Sequence, residues 1–386
     1  MSTLTQLNDL GMPDEQIAAV RLPLEQASVL PPQAYSDPAI FKLERERIFA
    51  RSWMPVCHVS QIPEPGNYFA RNLVGEPVMA MHGRDGVIRV MSNVCRHRNT
   101  TLASGSGSCK GNRLSCPYHG WTYGLDGKLL AAPFMDQVEN FERRDIQLPV
   151  FRSEIWHGFV FVNFDEQAPS LTAQIEGLEP DVAPYRFEDM EVVELRRRVM
   201  PWNWKISLEN FSEAYHQPWV HPDTADHEFP AAMAEYADVS GPYGVFHLNQ
   251  KNSLAVPTFF TPVQGLPQKL LSTVTVFNVY PYLHALTDAS TPLWLDFNIK
   301  SEVEHELIWN VLLPKGTLKS DTLETELAKF RAFIEPILGE DISVCTGVGE
   351  AVHSRFVTPG RYSHMEKTVH QFHNWWLDQM LPPASR

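Results

Sequence analysis

The sequence predicts an α+β fold, a small all-β region followed by a larger antiparallel sheet with helices. Three observations predict it. Short apolar or alternating runs between positions 66 and 163 are separated by glycine-bearing turns, the pattern of a small β unit. Longer β-type runs follow at 273–280, 294–301 and 307–312. Two helical stretches come last, at 320–337 and 363–380. Strands followed by helices, rather than alternating with them, favour an antiparallel sheet.

Residues 1–45 read as an N-terminal arm on the second domain, broken at Pro31-Pro32. Asp37-Pro38 opens a helix over 39–51, with Phe41, Leu43, Ile48 and Phe49 apolar. Residues 66–70 and 78–81 read as strands. Gly83-Arg84-Asp85-Gly86 turns into 87–91 to make a hairpin. Leu125-Asp126-Gly127-Lys128 is a turn, and 156–163 reads as one buried strand. The β domain therefore spans 46–165, and a second domain spans 166–386. That domain opens with a helical region at 171–185 and a strand near 192–200. Trp202-Asn203-Trp204-Lys205 then leads into a helix. Ser320 caps the next helix, where Leu323, Leu327, Phe330 and Ile334 recur at helical spacing. The segment 226–268, rich in Pro, Gly and Phe, reads as a long loop where specificity would reside.

The chain has 386 residues, enough for two cores, with 44% apolar and 20% charged residues. A net charge of −14 argues against nucleic acid and anionic membrane surfaces as partners. No apolar run reaches membrane-spanning length, and the first six residues carry no basic or apolar export signal. Of five cysteines, Cys57, Cys109 and Cys345 read as free thiols, the usual state in a reducing cytoplasm.

Chemistry concentrates in two stretches. Cys95-Arg96-His97 is followed after eighteen residues by Cys116-Pro117-Tyr118-His119. Two thiolates and two imidazoles suit either tetrahedral zinc or a [2Fe–2S] cluster with two Cys on one iron and two His on the other. Zinc fingers usually pair Cys with Cys and His with His. Here each loop supplies one of each, so each can reach both irons. The second stretch runs from Asn210 to His221 and contains Glu213, His216 and His221 as Glu-x-x-His-x-x-x-x-His. On a helix, Glu213 and His216 would share a face, and Pro218 would end or bend it so that His221 returns beside His216. Two imidazoles plus a remote carboxylate make a ferrous site with open positions.

From about residue 45 to 378 the chain resembles the α subunit of Rieske non-haem iron oxygenases, the ring-hydroxylating oxygenase family. The resemblance rests on Cys95, His97, Cys116 and His119, on Asn203-Trp204-Lys205, and on Glu213, His216 and His221. It implies a Rieske [2Fe–2S] domain joined to a helix-grip, START-like catalytic domain. It implies Cys95 and Cys116 on one cluster iron, His97 and His119 on the other, and a mononuclear Fe(II) on His216, His221 and Asp341, with Glu340 as neighbour. Asn210 and Glu213 become the catalytic residues, with Glu213 bridging His119 of the partner subunit to His216 in a homotrimer. The implied activity uses O2 and NAD(P)H-derived electrons, delivered by a reductase directly or through a ferredoxin, to hydroxylate a small organic molecule. Glu at the bridging position, where many ring dioxygenases carry Asp, resembles the carnitine and betaine branch. Aromatic compounds and quaternary amines are both expected substrate classes.

Rival readings are an electron carrier, which needs only the first domain, and a structural zinc protein. His364, His370 and His373 read as packing residues. Phe246, Phe259, Phe260, Phe277, Tyr280 and Trp219 are aromatics that could line a pocket or fill the core.

Overall fold

The computed structural model describes residues 7–251 and 258–381. The first six residues, and positions 252–257 of the expected loop, lie outside the described residues. The chain divides into two compact units, 51–171, and 1–50 together with 172–386.

Unit 51–171 contains β1 (Met54–His58), β2 (Asn67–Leu73), β3 (Glu76–His82), β4 (Ile88–Ser92), β5 (Gly105–Ser108), β6 (Arg113–Ser115), β7 (Thr122–Gly124), β8 (Leu129–Ala131), β9 (Val150–Trp156) and β10 (Phe159–Asn163). Seven form an antiparallel sheet in the order β1-β10-β9-β4-β3-β2-β5, and β6-β7-β8 form a smaller one. The β3–β4 hairpin forms at the expected glycine turn, with His82 opposite Ile88. The stretch 156–163 is not one strand but a hairpin. His157 and Gly158 turn the chain at φ 44° and 82° between β9 and β10. A two-residue turn of this kind needs positive φ twice, and a His-Gly dipeptide can supply it. Met79, Met81, Met91, Tyr123 and Leu148 build the core, and Cys95 and Cys116 belong to its edge.

The other unit is one antiparallel sheet of β11 (Met190–Met200), β12 (Ala234–Tyr236), β13 (Tyr243–Asn249), β14 (Thr273–Val279), β15 (Leu283–Thr287), β16 (Leu293–Ser301) and β17 (Glu304–Pro314). Their order is β11-β17-β16-β15-β14-β13-β12. Two of these strands, β12 and β13, fall inside the expected loop. Val245, Phe246 and Leu248 are buried there. Gly241-Pro242 stands directly before β13 and masked its pattern.

On one face of the sheet lies the helix Leu323–Ala351, where Leu323, Leu327 and Phe330 pack with Leu293, Val311 and Leu313. It runs 29 residues, well past the expected end at 337, through Pro336 and Gly339. The proline removes one backbone hydrogen bond. The buried stripe nevertheless continues through Leu338, Asp341, Cys345 and Gly349, and such tertiary burial holds a helix more strongly than propensity does. A Cβ at Gly349 would come within 2.7 Å of Trp202.

The helix Trp204–Asn210 starts where the Asn203 side chain accepts the Lys205 N–H at 3.0 Å. Lys205 pairs with Glu44 at 2.6 Å, and both side chains are 0% exposed. The indoles of Trp204 and Trp376 also donate to Glu44, at 3.2 and 2.7 Å. A buried ion pair stands only when its remaining hydrogen-bonding capacity is filled. Glu44 ends the helix Pro38–Glu44, capped by Asp37 as its sequence predicts. A Ser363/Glu366 capping box precedes the last helix, Lys367–Met380. No helix among the described residues is long and apolar enough to cross a membrane.

Candidate metal centres

The two Cys/His loops share one backbone design. The Cys95 carbonyl accepts the Asn99 N–H at 3.1 Å, and the Cys116 carbonyl accepts the Gly120 N–H at 3.1 Å. Both donors sit four residues on, at φ 57° and 71°. Each Cys N–H then donates five residues ahead, to Thr100 at 2.9 Å and Trp121 at 2.7 Å. The histidines differ in offset, yet their rings meet at 4.6 Å between centroids. Cys95 and Cys116 are 1% and 4% exposed, while His119 is exposed.

Two details fit a metal cluster between these loops. His97 Nδ1 is buried with no hydrogen-bond partner among the described residues. Such an orphan is costly unless a metal takes its lone pair. Tyr123 Oη accepts the Arg96 N–H at 3.0 Å, which leaves its own proton for Cys95 Sγ at 3.3 Å. Hydrogen bonds to the sulfurs tune such clusters. The sequence reading missed Tyr123; its signal is a tyrosine two residues beyond the second loop, in β7. Cys109 is a buried thiol pushed up to about 11 by burial, apart from the Cys/His set.

The second centre forms differently from expectation. The helix ends at Asn210, so Glu213 and His216 lie in the connection after it, not on a helix. Pro218 does not end a helix but opens a short one, Gln217–Val220. In a first turn its missing N–H costs nothing. This turn sets the His216 and His221 rings 5.2 Å apart. Asp341 arrives from the long helix, its Oδ1 3.0 Å from His221 Nε2 and 3.5 Å from His216 Nε2. One ligand atom from each of the three lies within 4.8 Å of the others.

Every member of this triad is held from behind. Glu213 Oε1 faces His216 Nδ1 at 2.5 Å, and Glu340 Oε2 faces His221 Nδ1 at 2.7 Å. Thr224 donates to Glu340 at 2.9 Å. Asn210 Nδ2 donates to Asp341 Oδ1 at 2.9 Å. Carboxylates on Nδ1 fix each tautomer and turn Nε2 toward a metal. Thr224 was not read from sequence, and Glu340 was named only as the neighbour of Asp341. Adjacent acids on a helix point about 100° apart, so Asp341 and Glu340 grip His221 from its two sides.

In the metal-free chain, burial works against charge on His216. Hydrogen bonds to Asp341 and Glu213 outweigh it and raise His216 to about 10. Burial likewise raises Asp341, and hydrogen bonds from His216 and His221 outweigh it, holding Asp341 at about 2. A cation entering here displaces protons. The donor set, two imidazoles and a carboxylate, suits Fe(II) with open positions.

A cavity of about 90 Å³ borders the triad, walled by Phe211, Phe246, Leu248, Val276, Leu286, Leu293, Leu295, Trp309 and Ile337. A 490 Å³ cavity shares Ala225, Leu286, Leu293, Ile334 and Ile337 with it. Phe246 thus lines the site, whereas Phe277 and Tyr280 are core and Trp219 is 84% exposed. His370 Nε2 lies 3.1 Å from the Val20 carbonyl, and His373 sits between Tyr362 and Glu209.

Comparison with known proteins matches both parts of the chain to families. Residues 187–381 match the family model "Ring hydroxylating alpha subunit (catalytic domain)", and 52–142 match "Rieske [2Fe-2S] domain". The carnitine monooxygenase oxygenase subunit of Acinetobacter baumannii is 37% identical over 202 residues, 52% of this chain and 54% of that protein. The large oxygenase component of the naphthalene 1,2-dioxygenase system of Pseudomonas aeruginosa is 37% identical over 196 residues, 48% of this chain and 43% of that protein. The chain thus spans about half the length of these curated relatives. A crystal structure of a quaternary ammonium Rieske monooxygenase with an inhibitor superimposes with TM-score 0.79 at 25% identity, covering 94% of this chain and 98% of that one.

Proposed function

The chain belongs to the family of ring-hydroxylating α subunits, and on that premise we propose that it is the terminal oxygenase of a Rieske system. One observation carries this reading. His216, His221 and Asp341 converge within 4.8 Å, in a chain that also bears the paired Cys/His loops. Cys95, His97, Cys116 and His119 would hold a [2Fe–2S] cluster, and His216, His221 and Asp341 a ferrous ion. When bound, these groups supply electron storage and activation of O2.

The chain's own residues prepare the site. Glu213 and Glu340 each take an Nδ1–H, so both Nε2 lone pairs face the same point. Asn210 holds Asp341 in place. The apolar walls exclude water and seat an organic body beside the triad. NAD(P)H-derived electrons arrive from a reductase, directly or through a ferredoxin. Glu213 also serves as a bridge to His119 of the partner subunit in a homotrimer. Exposed aromatics support that docking: Tyr215 and Trp219 flank His216, and Tyr118 flanks the exposed His119. None of the five cysteines is in a disulfide, which supports a cytoplasmic location.

For substrate, the quaternary amines come first. The carnitine relative and Glu213 favour them, and Phe211, Phe246 and Trp309 offer ring faces for cation–π contact. Aromatic compounds are the second reading, favoured by the Leu, Ile and Val that fill the remaining walls.

A single-turnover panel tests both. Chemically reduced holoenzyme receives O2 with carnitine, betaines, methoxyaromatics, arenes or aromatic acids. Aldehyde and free amine from an ammonium compound are expected. Oxygen on an aromatic ring would move the enzyme to the second class. No product from any compound, with about two irons per chain rather than about three, would replace the oxygenase with an electron carrier.

A further inference from the structure

The chamber beside the triad has two polar fixtures that the proposed chemistry leaves unused. Trp309, on β17, is 2% exposed and forms part of the chamber wall. Its Nε1–H is buried and has no hydrogen-bond partner among the described residues. Leu293, Leu295, Ile334 and Leu338 line the chamber with it, and their side chains accept no hydrogen bond. Trp309 also borders a cavity of about 310 Å³ that holds Arg196, Arg331 and Glu335, where the Glu335 carboxylate is engaged by Arg196. A buried donor left unmade is costly, so its persistence calls for an occupant that fills it. A second atom points the same way. Gln217 Oε1, an acceptor from a buried residue of the same chamber, also has no partner among the described residues. The other polar groups there are engaged: Asn210 on Asp341, and Glu213 on His216.

We propose that Trp309 is a specificity-determining residue whose indole N–H anchors the substrate through an oxygen acceptor. Gln217 receives the donor of the same polar group. The substrate is then an apolar or cationic body carrying one small oxygen function that accepts and donates, such as a hydroxyl. No lysine or arginine lines this chamber, so nothing there compensates a full negative charge close to the triad's own carboxylates. The proposal rests on the oxygenase reading of the chamber, and it separates hydroxyl-bearing members of either substrate class from their hydrocarbon counterparts.

The test is binding, not turnover. Two probe pairs differ only by hydroxyl against methyl: choline with propyltrimethylammonium, and 1-phenylethanol with isopropylbenzene. Dissociation constants are measured by anaerobic calorimetry on holoenzyme whose iron content has been checked. In the wild type, the hydroxyl member of at least one pair binds more tightly, by about two- to tenfold for one neutral hydrogen bond. Trp309→Phe keeps an aromatic face and removes the donor. It abolishes the preference, so that the two members of each pair bind within about twofold of each other. Should Trp309→Phe misfold, benzothienylalanine at position 309 deletes the N–H while keeping the bicyclic shape. A preference that survives either replacement overturns the proposal. So does a wild type that favours the methyl member, or binds neither hydroxyl probe. These failures are distinct from failure of the oxygenase reading, which the single-turnover panel and the iron count detect separately.

Discussion

The paired Cys/His loops occupy 27 consecutive residues, Cys95 to Trp121. The second centre joins His221 to Asp341 across 120 positions. In the loops, backbone hydrogen bonds four and five residues apart shape the site, and each loop is complete within itself. In the triad, geometry depends on a helix docking in one rotational setting against a sheet. Local sites therefore answer to local changes. Distributed sites answer to anything that moves an element.

Breaking one centre without the other is the most direct test. Asp341→Ala is expected to abolish product and lower bound iron from about three to about two per chain, with the visible cluster spectrum intact. Loss of that spectrum as well would mean the centres are not independent. Next in size, Glu340→Ala frees the back of His221 and is expected to weaken ferrous affinity about 10–100-fold. Titration of the metal-depleted protein measures this. An unchanged affinity would remove Glu340 from the site. Tyr123→Phe works on the loops alone. It deletes a hydrogen bond to Cys95 and should lower the cluster's midpoint potential, read by spectroelectrochemistry, without altering mononuclear iron content.

The smallest effect concerns a cost confined to the second unit. Burial, then the charges of Glu213 and Glu209, raise Glu366 to about 7 despite its hydrogen bond from Ser363. A carboxyl raised from its usual value near 4.5 opposes folding progressively as pH rises from there through 7. Glu366→Gln, which can still accept the Ser363 N–H, should stabilise the protein by on the order of 1 kcal/mol at pH 8, after discounting for partial exposure. No gain is expected near pH 4.5. Denaturant melts at the two pH values check the sign.

The same contrast explains what could be read in advance. The Cys/His loops were legible because their residues are neighbours in sequence. The β3–β4 hairpin was legible because its glycines announce the turn. Asp341 was reached only through family resemblance, although a physical signal existed. It continues the stripe of Leu323, Leu327, Phe330, Ile334 and Leu338, and an acid on an apolar stripe calls for a partner. The expected helix stopped at 337, four residues short of Asp341. Glu340 was named only as a neighbour of Asp341, because its use depends on where His221 stands. His157-Gly158 was read as strand because apolar neighbours outweighed a turn dipeptide.

The grip of Glu340 and Asp341 on the two sides of His221 has a consequence for insertions and deletions. One residue added between Pro336 and Glu340 would swing both carboxylates about 100° around the axis. Seven added residues would restore the angle to within about 20° but displace the pair by about 10 Å along it. Neither leaves an acid on each face of the ring. Substitutions along the solvent side of this helix should be tolerated freely, while its length between Phe330 and Gly349 should not change at all.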